Sequence, residues 1–218
     1  MELDALDTHE RLAVVAVKLF SKKGYSGTSI RDIAKAMGMS ISNIYHYSGS
    51  KEGVFMEALR RAVEMLLKEL RFVSEVDLPP IVRIKLMIER HLRYVADNND
   101  LARIFVIELP PEVSTESILY SKNSQKEIYA IYKKEFDAIE QTGAIQGRDV
   151  TAIIFSIFGV INWFARWYKT DGRLSPDEAV GQVVGFIWRG SFWGTVLEAA
   201  NTTPGESAGT QTLEPVGQ

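Results

Sequence analysis

Apolar residues in this chain recur at spacings of three and four almost from end to end, and that regularity limits the fold more than any other feature. Leu12, Val15, Ala16 and Leu19 fall at i, i+3, i+4 and i+7, and Ile30, Ile33, Ala34 and Met37 repeat the pattern. Val180, Val183, Val184 and Ile187 do so again near the other end. Such spacing draws one apolar stripe down a helix, whereas a half-buried strand alternates with period two. No strong alternation is present, so the expected fold class is all-α, with about nine helices.

Start and stop signals divide the helices. A first helix over 8–23 ends at Gly24, and a second starts at Thr28 or Ser29 and stops at Gly38. Ser40 caps a short helix over 41–47, which Gly49-Ser50 separates from a longer one running to Arg71. Pro79-Pro80 opens a helix near 81 that should end in the polar cluster Asp97-Asn98-Asn99-Asp100. Pro110-Pro111 parts a short segment over 101–108 from a long helix over 115–142. Asp149 caps a helix over 150–170 with Gly172 at its end. Ser175-Pro176-Asp177-Glu178 is a capping box with proline at the first helical position, opening a helix over 176–199. The organisation expected is a helix-turn-helix domain over 1–50, a helical domain over 51–200 and a disordered tail over 201–218. That tail has no aromatic and no basic residue.

Charge is distributed unevenly. The net charge of the 218 residues is −3, yet residues 11–51 carry seven basic side chains against the single acid Asp32. A basic block on an acidic body is the asymmetry expected where one end meets nucleic acid. Three short helices with a glycine-containing turn between the second and third can present a helix to the major groove. On that third helix Ile41, Ile44 and Tyr45 read as the packing side, leaving Ser42, Asn43, His46 and Tyr47 outward.

The segment "RLAVVAVKLFSKKGYSGTSIRDIAKAMGMSISNIYHYSGSKEGVF", Arg11–Phe55, resembles the DNA-binding domain of the tetracycline-repressor (TetR) family. Leu19-Phe20, Gly24-Tyr25, Thr28-Ser29, Ile33-Ala34, Gly38-Met39-Ser40, Ile44-Tyr45 and Ser50-Lys51-Glu52 carry the match. The resemblance implies that Thr28, Ser29, Ser40, Tyr45 and Lys51 meet the DNA backbone, with Ile41, Ser42, Asn43, His46 and Tyr47 in or near the groove. The chain departs from the family pattern at Ser42-Asn43, where a glycine is common, and at Ser48, where phenylalanine is usual. The resemblance further implies a homodimer on a near-palindromic double-stranded operator, paired through helices 150–170 and 176–199, with Val184 inside that interface. It also implies a small hydrophobic effector.

A second segment, "INWFARWYKTDGRLSPDE", Ile161–Glu178, resembles TetR-type regulators of fatty-acid, steroid or aromatic-acid degradation, many of which sense acyl-CoA thioesters. An apolar pocket lined by Phe105, Tyr129, Tyr132, Phe136, Trp163 and Trp167 would suit such an effector, with Arg166 meeting its phosphates. The alternative effector class is a cationic or aromatic drug.

An enzyme is the weaker reading. His9, His46 and His91 stand on separate helices without metal-ligand spacing, and no nucleophile-elbow, dinucleotide or Walker motif is present. Glu89, Arg90 and His91 read as a solvated helix face. No cofactor is implied, and the chain lacks cysteine and so any thiolate site. The acidic N-terminus has no signal-peptide pattern, and the longest apolar run, 150–165, is too short to span a bilayer. A cytoplasmic protein without a membrane partner is expected.

Overall fold

The computed structural model describes residues 7–106, 113–145 and 147–201, with the side chains of 101, 104–106 and 191–201 outside that description. All the regular structure among the described residues is helical: α1 Thr8–Lys23, α2 Ile30–Met37, α3 Ile41–Ser48, α4 Lys51–Ser74, α5 Pro80–Asp97, α6 Asn99–Val106, α7 Thr115–Glu140, α8 Val150–Trp167 and α9 Pro176–Asn201. The expected tail falls outside the described residues beyond Asn201.

Local chemistry sets most of these boundaries. Ser29 and Asp32 form a reciprocal capping box at the start of α2: the Asp32 amide donates to Ser29 Oγ at 3.1 Å and the Ser29 amide to the carboxylate at 2.9 Å. These Ser29 hydrogen bonds, with Lys23 beside them, hold the Asp32 carboxyl far below its ordinary range. Gly38 ends α2 in the left-handed conformation, φ 66°, and its amide donates to the Ala34 and Lys35 carbonyls. The box at Ser175 and Glu178 forms as expected, with Pro176 in the first turn of α9.

Two boundaries differ most from the sequence reading. The polar cluster at 97–100 makes a break of only one residue, because α6 starts directly at Asn99. α8 stops at Trp167, where Tyr168 turns extended at ψ 138°, before Gly172 is reached. It nonetheless has 18 residues, so by length and composition it is apolar enough to cross a membrane, contrary to the shorter run counted above. Here its seam of Ile154, Ile157, Ile161 and Phe164 is wholly buried against neighbouring helices.

One apolar core runs through the molecule, and α4 carries it from end to end. Near its start Val54, Phe55 and Ala58 close the core of α1–α3, and further along Leu66 and Leu70 pack into the body. Gly53 is required at the junction, since a Cβ there would lie 2.0 Å from the Ser48 carbonyl oxygen. Phe55 meets Phe20 and Tyr25 edge-on at 5.2 Å each, so the aromatic contact between head and α4 comes from this residue. Ser48, where the family has phenylalanine, turns its hydroxyl back to the Ile44 carbonyl at 2.9 Å.

Candidate nucleic-acid interface and effector cavity

The expected reading helix, α3, is short and exposed. Ser40 caps α3 by accepting the Asn43 amide at 3.2 Å, and Ile44 alone among its side chains is buried. Ile41 and Tyr45, expected on the packing side, are 39% and 48% exposed and point outward beside Ser42, Asn43 and His46. The correction is geometric: an eight-residue helix resting on α2 and α4 through Ile44 leaves Ile41, three residues before it, and Tyr45, one residue after it, on the flanks. Tyr47 goes the other way, half-buried with its ring 4.9 Å from His9 and 5.7 Å from His46.

Around α3 the backbone-contact candidates are arranged unequally. Lys51 stands in the first turn of α4 after the cap Ser50, with Nζ 4.3 Å over the Tyr25 ring. A helix start of this kind directs free amides and a positive dipole end at an anion. Ser29 and Ser40 are exposed caps. Thr28 is the exception: it is 1% exposed, and its hydroxyl donates to the Gly24 and Leu19 carbonyls at 2.8 and 3.2 Å. It fixes the α1–α2 turn and offers no hydroxyl to phosphate.

The predicted pocket is not assembled. Trp163, Arg166 and Trp167 lie on the outward face of α8, with Trp163 64% exposed. They sit one or two positions from the nearest residue of the buried Ile161–Phe164–Ala165 seam, which turns them away from the core. Tyr132 and Phe136 are fully buried packing residues, while half-buried Tyr129 reaches Thr151 Oγ1 at 3.2 Å and stacks on Phe155. The Phe105 side chain lies outside the described residues. Val184 is buried in the subunit's own core and is no interface position.

A cavity of about 20 Å³ opens elsewhere, among α4, α5, α6 and α8. Its walls are aliphatic, from Ala62, Val63 and Leu66, then Val95, Ala102, Ile161 and Ala165, with His91, Tyr94 and Asn162 as the polar members. Tyr94 donates to the Ala62 carbonyl at 2.9 Å, and burial raises its phenol well above the ordinary range. His91 was read above as part of a solvated face; it is buried, with Nδ1 3.1 Å from the Tyr132 hydroxyl, and burial pulls its imidazole down to about 4. The signal was present in the sequence, since Ile84, Ile88, His91 and Val95 follow one another at four, three and four residues.

Two sets of polar contacts tie the head to the body. Ser21 of α1 donates to Asp100 of α6 at 2.7 Å. Glu52 in the first turn of α4 accepts from the Ser117 hydroxyl and from the Ser114 amide, the latter at 2.8 Å. Those donors, Ser117 first, hold the Glu52 carboxyl below its usual value.

Comparison with known proteins agrees with this architecture. The chain resembles the HTH-type transcriptional repressor KstR2 of Rhodococcus jostii, 23% identical over 177 residues, 81% of this chain and 87% of that protein. A TetR/AcrR-family regulator from Thermobifida fusca is similar in structure, with TM-score 0.67 and 29% identity over 85% of this chain and 98% of that one. AibR, solved in complex with isovaleryl coenzyme A and operator DNA, shares the fold at TM-score 0.74 and 23% identity, over 82% and 96% of the two chains. Residues 12–58 match the model of bacterial regulatory proteins of the tetR family, and residues 77–191 match the tetracyclin repressor-like C-terminal domain. With both halves matched in order on one helical scaffold, the chain belongs to the tetR family of transcriptional regulators.

Proposed function

We propose that the protein is a homodimeric repressor that binds a near-palindromic operator in the cytoplasm and leaves it when a small hydrophobic effector, an acyl-CoA thioester, is bound. The observation that carries the DNA part is α3, whose Ile41, Ser42, Asn43, Tyr45 and His46 project from a basic head. Asparagine and histidine supply donors and acceptors for base edges, and Lys51 and the helix starts supply phosphate contacts.

Dimerisation is supported by the outer face of α8 and α9. Phe155, Trp163 and Phe186 are each more than 60% exposed, and Gly159 beside them has open space where a side chain would be. Exposed aromatic area of that kind suits a self-complementary two-fold contact. Phe186→Asp should therefore yield monomers in sedimentation, whereas Val184→Asp should unfold the subunit. A wild-type monomer at micromolar concentration would refute the dimer.

The cavity supports the effector reading, and its size states a condition. About 20 Å³ accommodates roughly one water, so an acyl group has to select a widened packing of the surrounding helices. A ligand shifts a conformational equilibrium only through its different affinity for the two states, and here that difference is built into the volume. α6 is the wall that also holds α1, through Asp100 and Ser21, so widening there bears on the head. The test is release from the operator upstream of the protein's own gene by a panel of acyl-CoAs, the matching free acids and cationic drugs. Release by thioesters is expected; release by cations alone would replace this reading with a multidrug sensor.

A further inference from the structure

We propose that the Nε2–H group of His91 is the donor that recognises the effector, and that the part entering the cavity is an uncharged acyl group presenting its carbonyl oxygen to it. The inference rests on the effector-controlled reading above and specifies its chemistry.

The hydrogen-bond network assigns the proton. Tyr132 is fully buried, with its ring set edge-on to Phe158 at 5.0 Å, so its hydroxyl is fixed in place. That hydroxyl has two acceptors within reach, the Met87 carbonyl at 3.5 Å and His91 Nδ1 at 3.1 Å. A hydroxyl hydrogen bond to oxygen runs at about 2.5–3.0 Å, so the carbonyl is too far and the proton goes to Nδ1. A neutral imidazole that accepts at Nδ1 carries its own proton at Nε2. Among the described residues nothing accepts from Nε2, although His91 is 8% exposed and lines the cavity. A donor at an apolar cavity wall with no protein acceptor is one that a ligand oxygen can take up.

The walls decide the charge of the guest. No charged side chain lines the cavity among the described residues, and the Tyr94 hydroxyl is already engaged by the Ala62 carbonyl. Burial keeps His91 neutral at physiological pH. A carboxylate or an ammonium placed there would be buried without a counter-charge, whereas a thioester or amide carbonyl needs only one donor. The charged remainder of a coenzyme A ester would stay outside.

The experiment uses the full chain with 15N-labelled histidine and four probes of one carbon skeleton: isovaleryl-CoA, isovaleramide, isovalerate and isoamylamine. Nitrogen shifts should show Nε2 protonated in the free protein, and that nitrogen alone should shift on saturation with the thioester or the amide. In calorimetry His91→Leu should weaken thioester binding by about tenfold or more, and His91→Gln, which keeps a donor, should recover part of it. Operator affinity measured alongside reports whether each variant is folded. The proposal is overturned by a proton on Nδ1, by His91→Leu binding as tightly as wild type, by neither thioester nor amide binding, or by isovalerate binding best with His91 protonated. Operator release that persists in His91→Leu would remove the assignment and leave the repressor reading standing. A wild-type protein that fails to bind its operator would strike that reading instead.

Discussion

Head and body each pair a histidine with a tyrosine, in opposite surroundings. His46 and Tyr47 are chain neighbours on α3, their rings 5.7 Å apart, with His46 exposed. His91 and Tyr132 lie 41 residues apart on α5 and α7 and meet at 3.1 Å in the core. The first pair is set by one helix at the surface; the second is set by packing and borders an apolar hollow. One ion pair in the body is buried where the head's is exposed. Lys23 and Asp32 meet at 3.1 Å with both side chains well exposed, whereas Arg83 and Glu135 meet at 2.8 Å with the carboxylate wholly buried. Polar groups in the head close caps and turns near the surface, and in the body a few are buried between helices.

The sharpest way to break this contrast is to remove Arg83. Arg83→Ala would leave Glu135 buried without a counter-charge, beside a second carboxylate oxygen that already lacks a hydrogen bond, and should cost about 3–5 kcal/mol in urea denaturation. An unchanged midpoint would mean that the body's ion pair is no different from the head's. The next effect is a pH dependence. The unfolded His91 takes up a proton below about 6.5 and the folded one only near 4, so the unfolded state binds more protons between those values. Stability should fall as pH drops through that window, by up to about 3 kcal/mol at its lower end, and stay flat above it. His91→Gln should flatten the slope.

Smaller effects belong to the head. Asn43→Ala or His46→Ala should change which operator variants are tolerated, by about 1–3 kcal/mol per lost base contact in gel-shift titrations. Tyr45→Phe and Lys51→Ala should weaken all sequences alike and, for Lys51, lower the salt dependence. If the four variants behave identically, α3 is not the reading element. Smallest of all, Lys23→Ala should leave the denaturation midpoint within experimental scatter.

The same contrast explains how far the sequence could be read. The head declares itself through signals at most three residues apart: Ser29 with Asp32, Ser40 with Asn43, Gly38 after Met37. Even there a short helix misleads, as Ile41 and Tyr45 turned out to face solvent. In the body aromatic residues at helical spacing do not reveal whether they pack, stack outward or line a hollow. Tyr132 and Phe136 filled the core, Trp163 faced outward, and the cavity formed from small aliphatic residues with no pattern of their own. His91 was legible only by following the seam through Ile84, Ile88 and Val95 and trusting it over the charge of its neighbours.

The continuity of α4 bears on how such regulators can be recombined. Its first two turns complete the head with Val54, Phe55 and Ala58, and Ala62 and Val63, about 6 Å further along the axis, already belong to the cavity wall. The head is therefore not an interchangeable cartridge with a seam at residue 50. A hybrid joined there would set one parent's Phe20 and Tyr25 against the other's residue at position 55, and mispacking at that contact would loosen the operator-reading unit. A junction placed beyond Ala58 carries the matching aromatic across with the head, and leaves the foreign effector site intact on the far side.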